Sequence, residues 1–418
     1  MRRGHTVHVL AGHPGSADLL EEDRFDEYDF EGIHVYRFLH AYAPMAGQVS
    51  MIEIGYNNRL ADSYFGRILE RFKPEVVHFF HLNRLGTGLI EVAARVGVRR
   101  FMTPTDFWAI CPTGQLVCDD GSLCAGPSAY AGNCVKHLAQ RTQGGLTRII
   151  ARKLPTASVD LLARLTQKGV LTSYPHQVEV KAISSRLTAN IRRLNQLNGI
   201  LAPNRFMREK LVQYGVSPHL IIQSAFGIDV PDSSENLSRH TPRRPLVVGY
   251  IGTLATHKGC HVLIEAFKRL PLGQAILKIY GNLEDFPEYS RELKRHADNS
   301  DAITFCGIFP NSKIGKVLAD LDVLVVPSLW YENTPLVVYS AQAARCPVVA
   351  SDFPGISEVV RDEVDGLMFE AGNPKALAKQ LSRLIDEPGI TERLSTNSQQ
   401  PKSTRLYVDE MLSLWKSA

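Results

Sequence analysis

The stretch from 320 to 358, DLDVLVVPSLWYENTPLVVYSAQAARCPVVASDFPGISE, admits few folds. Asp322 to Pro327 is a short, apolar, β-branched run closed by a proline, the pattern of a buried parallel strand. The loop SLWYENTP follows, then a helix from about Leu336 to Ala344 and a second buried strand from Pro347 to Ala350. Strand, loop, helix and strand form one βαβ unit, and open α/β sheets bind ligands at such a strand-to-helix loop. This loop carries one acid, Glu332, ahead of a helix start whose first N–H groups have no partner within the helix. Taken alone, the unit is equally an ordinary βαβ with an exposed carboxylate.

A chain of 418 residues is long enough for two domains. Its 44% hydrophobic and 22% charged residues are those of a globular protein, and a net charge of +4 is too small to argue for nucleic acid, so no nucleic-acid partner is expected. No apolar run approaches the roughly 18 residues of a membrane-spanning helix, and Met1 is followed by Arg2 and Arg3 rather than by an apolar leader. Seven cysteines, an odd number, fit a reducing compartment, so a cytoplasmic protein is expected.

The first half alternates strands and helices, as a doubly wound parallel sheet does. Strands are expected at Thr6 to Leu10, Ile33 to Phe38, Glu75 to Phe80 and Arg100 to Thr103, with helices at Tyr56 to Arg71 and Leu89 to Arg95. The fourth of these strands leads into TPTDFWAICP, placing Asp106 just past a strand end; the third delivers His78 and His81 to its own end. An aspartate there is either a ligand-facing acid or a turn former. The pattern opens as though in the middle of an element, without the strand and Gly-rich turn that usually start such a domain.

An insertion, CPTGQLVCDDGSLCAGPSAYAGNC, carries Cys111, Cys118, Cys124 and Cys134, with His137 three residues further on. Four thiols in a Gly/Pro-rich loop suit a structural zinc that orders a segment poor in apolar residues, although only Cys134-x-x-His137 has tight spacing. From Val135 to Gly169 the sequence turns helical and basic, with a single acid, Asp160. Aliphatic residues interleaved among those cations suit peripheral contact with an anionic membrane, or a solvated helix face. Gly199 to Pro203 and Leu220 to Ala225 add two strands around a helix ending near Tyr214.

Pro231 to Pro245, PDSSENLSRHTPRRP, reads as a linker. Beyond it Leu246 to Ile251, the turn GTLATHKG and a helix from Cys260 begin a second α/β domain. Gly252 and Gly259 flank this turn, and Lys258 adds a mobile cation at a helix start. With Glu332 at another strand end of the same sheet, the pair suits a sugar nucleotide: Lys258 on the diphosphate, Glu332 on sugar hydroxyls.

GYIGTLATHKGCHVLIEAF, ITFCGIF, the stretch around Glu332 and DGLMFEAGNPKALAKQL together resemble the nucleotide-binding half of family-4 retaining glycosyltransferases of the GT-B fold. PEVVHFFHLNRLGTGL, TPTDFWAICPTGQL and GILAPNRFMREKLVQYGV resemble the acceptor half. The resemblance implies two Rossmann-like doubly wound parallel-sheet domains facing across a cleft. It divides the chain into residues 1–235, with the insertion at 111–137, residues 236–390, and a helical segment 391–418 packing back on the first domain. It implies transfer of a hexose from a nucleotide-diphosphate sugar to a polysaccharide or lipid-linked saccharide, with no catalytic metal.

Carried over by position, Glu332 and Asp106 are catalytic, and Lys258, Gly252, Thr253, Asn333, Thr334, Pro335, Leu336 and Ser340 line the sugar-nucleotide site. The chain departs from the family pattern at several of these places. Ser340 replaces a ribose-binding acid, Thr253 a phosphate-binding arginine, Thr105 a histidine and Arg345 a glycine. These departures also define the alternative, a degenerate GT-B protein that binds a nucleotide sugar or glycan without transfer.

Overall fold

A computed structural model describes residues 3–230, 244–298 and 300–417. The linker expected at 231–245 lies outside the described residues up to position 243. The chain divides into two compact units, Met1–Ala202 with Met207–Gln223 and Leu414–Ala418, and Pro203–Phe206 with Ser224–Ser413.

The first unit holds two sheets instead of one. β1 (His8–Pro14), β2 (Phe25–Phe30) and β3 (Ile33–His40) form a sheet in the order β1-β3-β2. β1 runs parallel to β3, whereas β2 and β3 are antiparallel, Phe30 opposite Ile33. Only Glu31 and Gly32 lie between those two, with φ of 49° and 77°. Positive φ at both central residues is the type I′ hairpin turn, whose twist matches that of the strands it joins. The hairpin is the main departure from the all-parallel sheet expected of this half. The second sheet, β4 (Val76–Phe79), β5 (Arg99–Met102), β6 (Gly199–Ala202) and β7 (Ile221–Gln223), is parallel in chain order.

The second unit has one six-stranded parallel sheet: β8 (Leu246–Ile251), β9 (Ala275–Tyr280), β10 (Ile303–Gly307), β11 (Val323–Val326), β12 (Val348–Ser351) and β13 (Gly366–Phe369). Their spatial order is β10-β9-β8-β11-β12-β13. Alternate side chains serve opposite faces, as a two-residue period requires. Leu246, Val248, Tyr250, Val323 and Val325 enter one apolar cluster, and Val247, Leu324 and Val326 the other. Each fully buried aliphatic side chain contributes about 1.5–3 kcal/mol, so helices are held on both faces. The chain winds outward from β8 to β10, then returns to β11 and winds the opposite way. The switch between β8 and β11 opens a crevice at their carboxyl ends.

The last helix, Thr404–Ser417, ends with residues that belong to the first unit. There the Trp415 indole N–H donates to His78 Nδ1 at 3.2 Å, and Arg99 donates to the Trp415 carbonyl. With Nδ1 accepting, the imidazole proton sits on Nε2, which donates to Thr103 Oγ1 at 2.9 Å. Burial pushes His78 down to about 4. The unfolded-state value is near 6.5, so the stability held in the neutral ring is complete above that pH and is lost as pH falls toward 4. Denaturant unfolding of the chain should therefore show stability falling between pH 6.5 and 4. His78→Gln, which keeps an acceptor and a donor but does not titrate, should flatten the slope by up to ~1.4 kcal/mol per pH unit. An unchanged slope removes His78 as its source.

Candidate active site

Lys258 closes a short turn after β8, and Glu332 lies in the loop after β11, so the two strands flanking the switch point each present one charged side chain. Lys258 Nζ donates to Glu332 Oε1 at 2.7 Å. The same oxygen accepts from Ser328 Oγ at 2.6 Å and from the Trp330 indole N–H at 2.8 Å. Ser328, Trp330 and Glu332 are alternate residues of an extended loop, so their side chains fall on one side of it. The Lys258 ammonium also lies 4.6 Å from the centre of the Trp330 ring, a cation–π contact. Glu332 is buried, its side chain 6% exposed against 24% for Lys258.

Backbone contacts fix the two loops against each other. Leu329 N–H donates to His257 C=O at 2.8 Å, and the His257 ring lies 4.6 Å from that of Trp330. Burial and the adjacent Lys258 push His257 down to about 4, so it is neutral near pH 7. Gly259 has φ of +71°, and a Cβ there would lie 1.9 Å from the Pro327 carbonyl oxygen. Gly355 does the same on the other side, where a Cβ would lie 1.8 Å from the Glu332 carbonyl oxygen.

The remaining expected residues are placed unevenly. Asn333 and Thr334 continue the loop, Pro335 precedes the helix Leu336–Ala343, and Leu336 is exposed in its first turn. Thr334 has φ of +77°, and its hydroxyl accepts from Asn204 Nδ2 at 3.3 Å. Two of these residues have polar groups partnered within the unit. Ser340 is buried and its hydroxyl donates to the Leu336 carbonyl one turn back. Gly252 donates its N–H to Tyr280 C=O at 3.1 Å. Thr253 is exposed, and its carbonyl accepts from Tyr250 Oη at 2.8 Å.

In the first unit Asp106 follows β5 and His81 follows the neighbouring β4, with His81 Nε2 3.7 Å from Asp106 Oδ2. Burial raises the Asp106 carboxyl above its ordinary value, while His81, the Trp108 N–H bonded to Oδ1 at 2.8 Å, and Arg186 act against that rise. Arg186 is buried, donates to the carbonyls of Trp108 and Ile110, and lies 4.8 Å from the centre of the Trp108 ring. The four expected zinc cysteines are not gathered as a set: Cys118 and Cys124 lie with His137, while Cys134 packs in an apolar cluster with Ala131 and Ile183.

Trp330, Ser328, Asn204 and Gly355 were not expected at the site. The alternation S-x-W-x-E around Glu332 was a usable signal for the first two. Asn204 lies 130 residues from Thr334 in the chain, and no local pattern marks it.

Gly259→Ala should lower stability and weaken the Lys258–Glu332 loops together, because the new methyl meets backbone and the φ is unfavourable. Thermal unfolding and a crystal structure of the variant test this. A wild-type melting temperature would show that the Pro327 carbonyl yields freely.

Residues 234–400 match the model of the group 1 glycosyl transferases. An uncharacterized glycosyltransferase of Methanocaldococcus jannaschii is 30% identical over 152 residues, 36% of this chain and 38% of that protein. The amylovoran biosynthesis glycosyltransferase AmsK of Erwinia amylovora is 29% identical over 205 residues, 46% of this chain and 49% of its own. The putative colanic acid biosynthesis glycosyltransferase WcaL of Salmonella typhimurium is 26% identical over 235 residues, 53% and 57%. The matches thus span between about two fifths and three fifths of these relatives' lengths. Among solved structures, sucrose-phosphate synthase from Thermosynechococcus elongatus superposes with a TM-score of 0.61 at 16% identity, covering 100% of this chain and 90% of that one. The lipopolysaccharide outer core galactosyltransferase WaaB gives 0.52 at 13% identity, covering 97% and 99%. Residues 234–400 therefore match the group 1 glycosyl transferases, and the chain has the fold of GT-B proteins.

Proposed function

We propose that this protein is a family-4 retaining glycosyltransferase, which moves a hexose from a nucleotide-diphosphate sugar to a polysaccharide or lipid-linked saccharide. The observation that carries the reading is the Lys258–Glu332 pair at the two strand ends flanking the topological switch. The ammonium stabilises charge that builds on the departing diphosphate, and it does so from a position fixed before the reaction starts. Three hydrogen bonds converge on Glu332 Oε1, and Oε2 takes none of them, so Oε2 accepts from a sugar hydroxyl. The loop 333–336 and the start of the helix Leu336–Ala343 bring backbone N–H groups to the same strand end.

In the transfer the sugar C1–O bond breaks with its electron pair going to the diphosphate, and the acceptor hydroxyl oxygen bonds to C1. With retention the acceptor oxygen ends on the face the diphosphate leaves, and its proton passes to the departing diphosphate oxygen. Asp106, held by Trp108 N–H and His81, is the candidate acid of the first unit. A second reading, binding without turnover, is favoured by Ser340, whose hydroxyl is spent on its own helix where the resemblance implies a ribose-binding acid.

One experiment separates the two. The purified chain is titrated with UDP-, GDP- and ADP-sugars while donor hydrolysis and transfer to a saccharide acceptor are followed. Turnover supports transfer, saturable binding without turnover supports the second reading, and no binding to any nucleotide sugar overturns both. Glu332→Gln should lower turnover by roughly 10²–10³-fold with the fold intact. Lys258→Ala should weaken nucleotide-sugar binding by about 10-fold or more, the worth of one charge-assisted hydrogen bond. Glu332→Ala is a poorer probe, because it strands three donors in a buried pocket.

The acceptor class bears on the basic stretch. Among the described residues no helix is long and apolar enough to cross a membrane. The helices Gly145–Lys153 and Thr156–Gln167 and the turn between them expose Ile149, Ile150, Leu154 and Leu161 beside Arg148, Arg152 and Lys153. That surface suits an anionic bilayer, with aliphatic side chains entering the headgroup region and cations on the phosphates. Vesicles containing phosphatidylglycerol should sediment the protein and pure phosphatidylcholine vesicles should not. Arg152→Glu should weaken the binding about 5-fold or more, and equal binding to both vesicles would remove the bilayer from the reading.

A further inference from the structure

The insertion between Cys111 and Cys134 has no part in the chemistry above, and its own apolar content is small. Leu116 is buried, but Leu123 is exposed. Residues 116 to 124 nevertheless form a defined hairpin. Cys124 N–H donates to Leu116 C=O at 2.8 Å, and Cys118 N–H to Ser122 C=O at 2.8 Å. Its tip turns at Gly121, with φ of +82°, and the Asp120 carboxylate accepts from both the N–H and the hydroxyl of Ser122.

His137 comes from a different element, the helix Gly132–Thr142. The start of that helix is fixed by Asp160 Oδ1, which accepts from Gly132 N–H, Tyr130 N–H and the Ser128 hydroxyl at 2.8–3.0 Å. The lone acid of the basic stretch is thus a helix anchor. Hairpin and helix together place the sulfurs of Cys118 and Cys124 and a ring nitrogen of His137 within 4.8 Å of one another. All seven cysteines of the chain are free thiols.

We propose that Cys118, Cys124 and His137 hold a structural zinc ion that ties the hairpin to the helix. Zinc binds thiolate at about 2.3 Å and imidazole at about 2.0–2.1 Å, which in a tetrahedron sets ligand separations of roughly 3.5–3.8 Å. Side-chain shifts of about 1 Å close the three ligands onto such an ion. Sulfur and imidazole together select zinc over the hard cations magnesium and calcium, which take oxygen. Asp119 and Asp120 at the hairpin tip add negative potential beside the ligands, with Asp119 also drawing Arg141 and Arg148 toward the tip. Binding releases two protons, one from each thiol, and imidazole coordinates as the neutral ring.

The test uses the full chain, purified under reducing conditions from zinc-supplemented medium without chelators. Elemental analysis should find about one zinc per chain, and Cys124→Ser or His137→Ala should bring it to a tenth or less, while Cys306→Ser in the second unit leaves it unchanged. Should the first two variants fail to fold, wild-type protein still decides the matter. Cys118 and Cys124 should resist alkylation until a chelator is added, and cobalt(II) should give thiolate-to-metal charge-transfer bands. Protein without zinc, alkylation indifferent to chelator, or a Cys118–Cys124 disulfide found by mass spectrometry would each overturn the proposal. Zinc retained by both variants would overturn the assignment of these ligands.

Discussion

An ammonium and a carboxylate held largely out of water are an unstable arrangement unless something surrounds them. Moving each ion from water costs several kcal/mol, and the attraction between them offsets that only with further hydrogen bonds. Glu332 obtains these from Ser328 and Trp330, and Lys258 gains a cation–π contact with the Trp330 ring. The pair therefore depends on the two loops staying in register, and the register depends on Gly259 and Gly355, where a methyl group would collide with backbone. Residues from three separate parts of the chain, Gly259, Ser328 with Trp330, and Gly355, thus keep one charged pair in place.

The sheet decides where that pair sits. β8 and β11 are neighbours although β9 and β10 come between them in sequence, and their helices depart in opposite directions. Only there do two strand-to-helix loops adjoin without a helix filling the space above them. Elsewhere on the sheet the same side chains would lie under a helix. Charge chemistry and topology therefore require each other. The matching family segment, residues 234–400, covers both strands and both loops.

Much of this was legible in the residues. Buried parallel strands such as Val323–Val326 and Val348–Ser351 are short apolar runs bounded by turn formers, so their existence and class were readable. Lys258 and Glu332 were readable as strand-end residues, and their 2.7 Å contact follows from the strand order. What escaped was set by other forces. The β2–β3 hairpin turns on two positive-φ residues, Glu31 and Gly32, and only the glycine advertises that. The 18-residue helix Gln177–Leu194 buries Arg186, Asn190 and Arg193, polar residues that hide an inward face from a hydrophobic period. Their partners are backbone carbonyls and polar side chains supplied by distant segments, as for Asn190 on Ala109 and Arg193 on Thr87, which no local pattern reports.

The same buried polar layer connects the insertion to Asp106. Arg186 donates to the carbonyls of Trp108 and Ile110, and Phe107 N–H donates to the Gly114 carbonyl. Gly114 has φ of +76°, and a Cβ there would lie 3.0 Å from Asp106 Oδ2. The loop that positions the first unit's acid is therefore continuous with the cysteine hairpin on one side and with a buried guanidinium on the other. Unlike an exposed loop, it has no slack: Trp108 and Ile110 are both in the core. An ion fixing Cys118 and Cys124 to the helix of His137 would act four residues from Gly114, and rigidity in the hairpin would reach Asp106 through backbone hydrogen bonds alone. The insertion then needs no contact with substrate to matter for the acid it supports.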